Sequence, residues 1–84
     1  MTADRVRELA RELHAELERD DALDADARAA LDELRDDVDR ALEGEPERAP
    51  SARARTVVEQ FEADHPDLTA LVQRLADALS AIGL

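Results

Sequence analysis

Phe61-Glu-Ala-Asp-His-Pro-Asp-Leu-Thr-Ala-Leu-Val-Gln-Arg-Leu-Ala-Asp-Ala-Leu-Ser-Ala-Ile-Gly-Leu84 is the stretch whose reading decides the fold. The ring of Pro66 pushes His65 out of the α region, so a helix arriving from Phe61 must stop there. The same ring is pre-set for the first turn of a new helix, with His65 as N-cap and Asp67 beside the positive helix end. Beyond it, Leu68, Leu71, Val72, Leu75, Leu79 and Ile82 recur with the 3.6-residue spacing of one helix face. Gly83 then stands where a left-handed residue closes a helix. The stretch reads as a helix end, a corner and a capped amphipathic helix.

Working outward, the preceding helix is expected to begin with Ser51 as N-cap and to carry Ala54, Val57, Val58 and Phe61 as its stripe. Residues 44–50, Gly-Glu-Pro-Glu-Arg-Ala-Pro, form the one linker-like stretch, because two prolines within it oppose helix. Further upstream, Asp24 is the expected N-cap of a helix running to about Glu43. Its stripe is Ala27, Ala30, Leu31, Leu34, Val38, Ala41 and Leu42, with Leu23 covering its start and Gly44 following its end. The opposite face carries Asp32, Arg35, Asp36, Asp39 and Arg40. Pairs Asp36–Arg40 and Arg35–Asp39 fall one helical turn apart, which marks a solvated face. A first helix, from about Ala3 to Arg19, shows Val6, Leu9, Ala10, Leu13 and Leu17 on one face. Thr2 is its expected cap, and Asp20-Asp21-Ala22 breaks its pattern.

The chain has 84 residues, room for one small domain. Hydrophobic residues make up 44% of it, yet nearly half of these are Ala, so a monomeric core would be thin. Cysteine is absent, which removes disulfides as a remedy and leaves association. The formal net charge is −11, from 22 acidic and 11 basic residues. Residues 1–43 hold 15 acids and 7 arginines (−8), and residues 44–84 hold 7 and 4 (−3). That excess opposes direct binding to nucleic acid or an anionic membrane surface. Arginine without lysine fits a GC-rich genome; the size of the acidic excess points further, to salt adaptation. No apolar run reaches the ~18 residues of a membrane span. Met1-Thr-Ala-Asp-Arg5 lacks the basic-then-apolar order of a secretory signal, so a cytoplasmic location is expected.

Few residues invite chemistry. Glu62-Ala-Asp-His65 has the Glu-x-x-His spacing of di-iron carboxylate bundles, and Glu12 or Glu16 could add carboxylates in a dimer. The motif straddles the Pro66 corner, however, where a metal-binding helix would have to continue. Capping or packing is the better role for His65, which leaves Glu62 and His65 as weak metal candidates. His14, with Glu18 four residues on, reads as a surface pair rather than a general base. Ser51 and Ser80 have no neighbours that would activate a hydroxyl. Two glycines, Gly44 and Gly83, cannot form a phosphate-cradling loop. Asp20-Asp21 and Asp36-Asp37 lack the alternating ligands and turn glycine of a calcium loop. Arg53 and Arg55 could hold an anion, although pairing with Glu59, Glu62 or acids of the first helix is the stronger expectation. A carrier protein bearing a phosphopantetheine arm would need Asp-Ser-Leu at a helix start; Ser51 lies in Ala49-Pro-Ser-Ala-Arg53 instead. No catalytic residue and no cofactor is therefore assigned.

Two stretches carry a family resemblance: Leu13-His-Ala-Glu-Leu-Glu18, and Phe61-Glu-Ala-Asp-His-Pro-Asp-Leu-Thr-Ala70 through Ala78-Leu-Ser-Ala-Ile-Gly-Leu84. Together they resemble the small bacterial family called domain of unknown function 4404. Its members are short helical chains with a Phe-Glu-x-x-His-Pro-x-Leu corner followed by an amphipathic helix ending near Gly. The resemblance covers most of the chain, with the middle linker divergent. It implies bacterial origin and a self-contained domain, and it transfers no activity.

The expected fold is all-α, a small four-helix arrangement in one domain spanning residues 1–84. Residues 1–43 form an antiparallel helical hairpin, 44–50 a linker, and 51–84 a helix-corner-helix bent at His65-Pro66. Homodimerisation into a bundle is expected to complete the core, with Val57, Phe61, Leu68, Leu71, Val72, Leu75, Leu79 and Ile82 as interface candidates. The expected role is a non-enzymatic acidic interaction or assembly protein that binds a copy of itself and a further protein partner. The alternatives are an acidic mimic that occupies a basic, nucleic-acid-binding partner, and a metal-binding protein using Glu62 and His65.

Overall fold

The computed structural model describes residues 3–19, 24–44 and 49–84. These form four helices: α1 (Ala3–Arg19), α2 (Ala25–Leu42), α3 (Pro50–Phe61) and α4 (Pro66–Ala81). No strand occurs among the described residues. The roles expected for Thr2, Asp20-Asp21-Ala22, Leu23 and residues 45–48 of the linker lie outside them.

The helices form a ring in which α1 lies beside α2, α2 beside α3, α3 beside α4, and α4 returns to α1. Neighbours run antiparallel. His14 of α1 meets Arg35 of α2, Arg53 of α3 meets Glu33 and Asp37 of α2, and Arg55 near the start of α3 reaches Ser80 near the end of α4. The diagonal pairs, α1 with α3 and α2 with α4, make no close backbone approach among the described residues. The overall extents are 33 × 20 × 17 Å.

Each expected stripe turns into this ring. Val6, Leu9, Leu13 and Leu17 come from α1, and Ala27, Leu31, Leu34 and Val38 from α2. Ala54 and Val57 of α3 join Leu68, Leu71, Val72, Leu75, Ala76 and Leu79 of α4. The contributions are unequal. α4 buries seven residues and α1 four, so α4 is the chief apolar surface against which the others pack. The most extensive seam is α3–α4 and the least extensive is α1–α2, with α1 packing more against α4 than against α2. The first two helices do run antiparallel, and α2 sets small Ala27 and Ala41 beside its larger buried Leu31, Leu34 and Val38.

Helix ends follow backbone chemistry. Asp24 caps α2 from an extended backbone, its Oδ1 accepting the Ala27 N–H at 2.8 Å. Gly44, at φ +86°, ends α2 and donates its N–H to the Ala41 carbonyl. At the other end of the chain, Gly83 (φ +84°) donates to Ser80 O at 3.1 Å and Leu84 N–H to Leu79 O at 2.8 Å. That bond pair is the Schellman closure, which satisfies carbonyls the last turn leaves open.

α3 differs from expectation at both ends. Ser51 is not its N-cap: the helix begins at Pro50, with Ala49 as a cap that offers no side-chain bond. A proline at the first helical position gives up nothing, because its missing N–H would have had no intrahelical partner. Pro50 therefore belongs to α3 and not to the linker. Ser51 instead donates its backbone N–H to Leu84 O at 3.3 Å, joining the start of α3 to the residue beyond α4. α3 also ends at Phe61, short of Pro66; residues 62–64 turn, and His65 N–H bonds Phe61 O at 2.9 Å. His65 is the N-cap of α4 through its backbone alone, with no side-chain cap bond. Its carbonyl accepts from both the N–H and the hydroxyl of Thr69, each at 3.0 Å. Those bonds satisfy the buried polar side chain of Thr69, which is 2% exposed.

Candidate functional site

Glu62 and His65 sit at the α3–α4 corner. Glu62 is exposed and carries the C-cap of α3, its N–H bonding Val58 O at 2.9 Å; His65 is half-buried. Among the described residues no group of three or more His, Asp or Glu side chains gathers as a metal ion would require. The corner's visible work is structural, through the backbone bonds to Phe61 and Thr69.

The second histidine does more than the sequence suggests. His14 Nε2 lies 2.9 Å from Glu18 Oε1, the surface pair its spacing predicts. Its Nδ1 lies 2.6 Å from Arg35 Nη1 on α2. A guanidinium has only donors, so Nδ1 is the acceptor of the Arg35 bond while Nε2 faces Glu18, and the imidazole bridges α1 and α2.

Arg53 and Arg55 find partners other than those expected. Arg53 pairs with Glu33 at 2.9 Å and with Asp37, whose facing Oδ2 is shielded from solvent together with Arg53 Nε. Arg55 donates to Ser80 Oγ at 3.2 Å and to Ser51 O, and lies 3.8 Å from Asp77. Neither pairing uses Glu59, Glu62 or an acid of α1. Both arginines tie α3 to its two neighbours in the ring. Ser80 accordingly accepts a bond from Arg55.

Of the eight interface candidates, Val57, Val72, Leu75 and Leu79 are at most 3% exposed within the single chain, and Leu68 and Leu71 are nearly as covered. Phe61 and Ile82 are half-buried. Val58 and Leu84, outside that set, are half-buried as well.

Grooves follow three of the seams. The α1–α4 groove is walled by Glu12, Glu16, Arg19, Asp67 and Arg74, with signs mixed. The α2–α3 groove contains the Arg53–Glu33 pair. The α1–α2 groove, of about 460 Å³, gathers Arg7, Arg11 and His14 from α1 opposite Arg35 from α2. Ala10 and Leu42 give it an apolar floor, and Asp39 and Glu43 line it on the α2 side. The spacing of Arg7, Arg11 and His14, at i, i+4 and i+7, was a signal in the sequence. Arg35 lies 21 positions from His14, so only the fold brings the fourth basic group in.

A family model matches residues 6–84, from the first core residue of α1 through the last residue after α4. The chain belongs to the family described as Domain of unknown function (DUF4404). The DUF4404 match takes in all four helices, the corner at His65-Pro66 and the arginine-lined groove. No curated protein matches this DUF4404 chain, and no solved structure does. Among its described residues, no helix is long and apolar enough to cross a membrane.

Proposed function

We propose that this DUF4404 chain is a non-enzymatic interaction and assembly module of the bacterial cytoplasm that pairs with a second copy through its α3–α4 half. The observation that carries this reading is the incomplete cover of that half. Phe61, the sole aromatic residue, is only half-buried, as are Val58 on its own helix and Ile82 after α4. Aromatic side chains bury more area than any other type, so covering the rest of Phe61 is the largest single gain open to this surface. The core behind it is already covered within the single chain, with Val57, Val72, Leu75 and Leu79 at most 3% exposed. Sedimentation across the micromolar range should show a monomer–dimer equilibrium, weakened in Phe61→Asp while circular dichroism stays helical. A wild-type monomer that keeps its mass and helicity at every concentration would overturn the reading.

A second reading, an acidic mimic that occupies a basic, nucleic-acid-binding partner, is favoured by one feature of α2. Asp32, Asp36, Asp39 and Glu43 are all exposed and recur at i, i+4, i+7 and i+11. The stripe places a carboxylate about every 5–6 Å along the helix. Neutralising Asp32 and Asp36 to Asn should then release a nucleic-acid-binding protein captured from the native organism. Equal capture by both forms would reject this reading.

A further inference from the structure

We infer that the groove between α1 and α2 is a binding site for a small monocarboxylate with an apolar body. In a chain with twice as many acids as bases, the groove assembles three arginines and a histidine. Arg7 and Arg11 stand one turn apart on α1, a spacing at which like charges repel. The partners of these cations leave them little compensated. Arg7 lies 3.5 Å from Asp4, whose side chain is 86% exposed, so solvent screens the attraction. Arg35 is anchored at 2.6 Å by His14 Nδ1, an acceptor that brings no negative charge to offset the guanidinium. A planar carboxylate matches the fork of a guanidinium and can accept two parallel N–H bonds from it.

The rest of the lining sets size, charge and character. Asp39 and Glu43 share the lining with the three arginines, so arginines outnumber acids there and a single carboxylate is the anion best matched to it. The whole-chain charge of −11 repels polyanions, which disfavours nucleic acid and acidic proteins as occupants. Ala10 and Leu42, each half-buried, form the floor and suit an alkyl body better than a bare ion. The volume, about 460 Å³, equals that of the α2–α3 groove, so the basic lining rather than size sets this groove apart. The seam is also the least extensive in the ring, so admitting a ligand there disturbs the least packing.

Amide-resolved NMR titration with octanoate at fixed ionic strength tests the site. Saturable shifts confined to the α1–α2 seam are expected, with affinity lowered about tenfold in Arg11→Gln and more in the Arg7→Gln/Arg11→Gln double variant. Both arginines are exposed, and unchanged thermal melts should show that these variants fold. Arg74→Gln, in the α1–α4 groove, should bind octanoate as wild type does. Octylamine and octanol should bind at least about tenfold more weakly than octanoate, and inorganic phosphate likewise. Shifts that do not saturate, that spread over α3 and α4, or that persist in the double variant would overturn the proposal. Equal binding of octylamine would refute the charge selection, and equal binding of phosphate would refute the apolar body; either result overturns the proposal.

Discussion

α3 and α4 share the most extensive seam of any pair of helices, whereas α1 and α2, also consecutive and also antiparallel, share the least extensive. The two halves differ in what their sequences devote to the interior. α4 buries seven residues, five of them Leu or Val, and leaves few charges along its length. The α1–α2 half holds 15 of the 22 acids and 7 of the 11 arginines, and α2 turns alanines toward the core at Ala27 and Ala41. The apolar area of the α3–α4 seam comes mainly from α4, since α3 buries only Pro50, Ala54 and Val57. That half leaves Val58, Phe61 and Ile82 half-buried at its surface, and the α1–α2 half presents a groove.

Four changes would break or sharpen that contrast. Leu75→Ala in α4 should cost about 2–5 kcal/mol, because its side chain is 1% exposed and packed within the core. Leu42→Ala, half-buried at the groove, should cost less than half as much; equal losses in urea unfolding would erase the distinction between the halves. Arg53→Ala comes next, at about 1–3 kcal/mol, since it strands Asp37, whose side chain is 15% exposed. An effect within the ~1 kcal/mol of an ordinary surface pair would show that the α2–α3 seam does not depend on it. Asp24→Ala should cost about 1 kcal/mol through loss of the α2 cap, against less than about 0.5 kcal/mol for Ser51→Ala. Thermal melts in which the two variants fell equally would return Ser51 to the capping role. The smallest effect is expected from salt. Raising NaCl from low to molar concentration should lift the melting temperature by about a few degrees by screening the acidic α1–α2 half, as salt adaptation would require. A flat or falling trend would show that charge repulsion does not limit stability.

Much of the fold could be read from local pattern. The stripes of α1, α2 and α4, the Asp24 cap, the glycines at 44 and 83, and the His65-Pro66 corner all rest on chemistry within a few residues, and all stand where the spacing put them. The start of α3 was misread although the sequence held the clue. Pro50 obeys the same first-turn rule as Pro66, but Ser51 beside it offers a familiar cap that draws the boundary two residues late. The pairing of arginines was not legible in the same way. Arg53 meets Glu33 twenty positions back, and Arg55 meets Ser80 twenty-five ahead, distances no periodicity can bridge. The groove falls between these cases: three of its four basic groups share a face of α1, and the fourth depends on how α2 lies against it.

The ring order has a consequence in time as well as in space. α1 packs more against α4 than against α2, so the apolar face of Val6, Leu9, Leu13 and Leu17 finds its main cover in the most distant helix of the sequence. A chain emerging N-terminus first exposes that face while α2 and α3 are still being made. Residues 1–43 carry a net charge of −8 through that interval, which opposes close approach of two such segments. Closure of the ring waits on α4, the last helix in the chain.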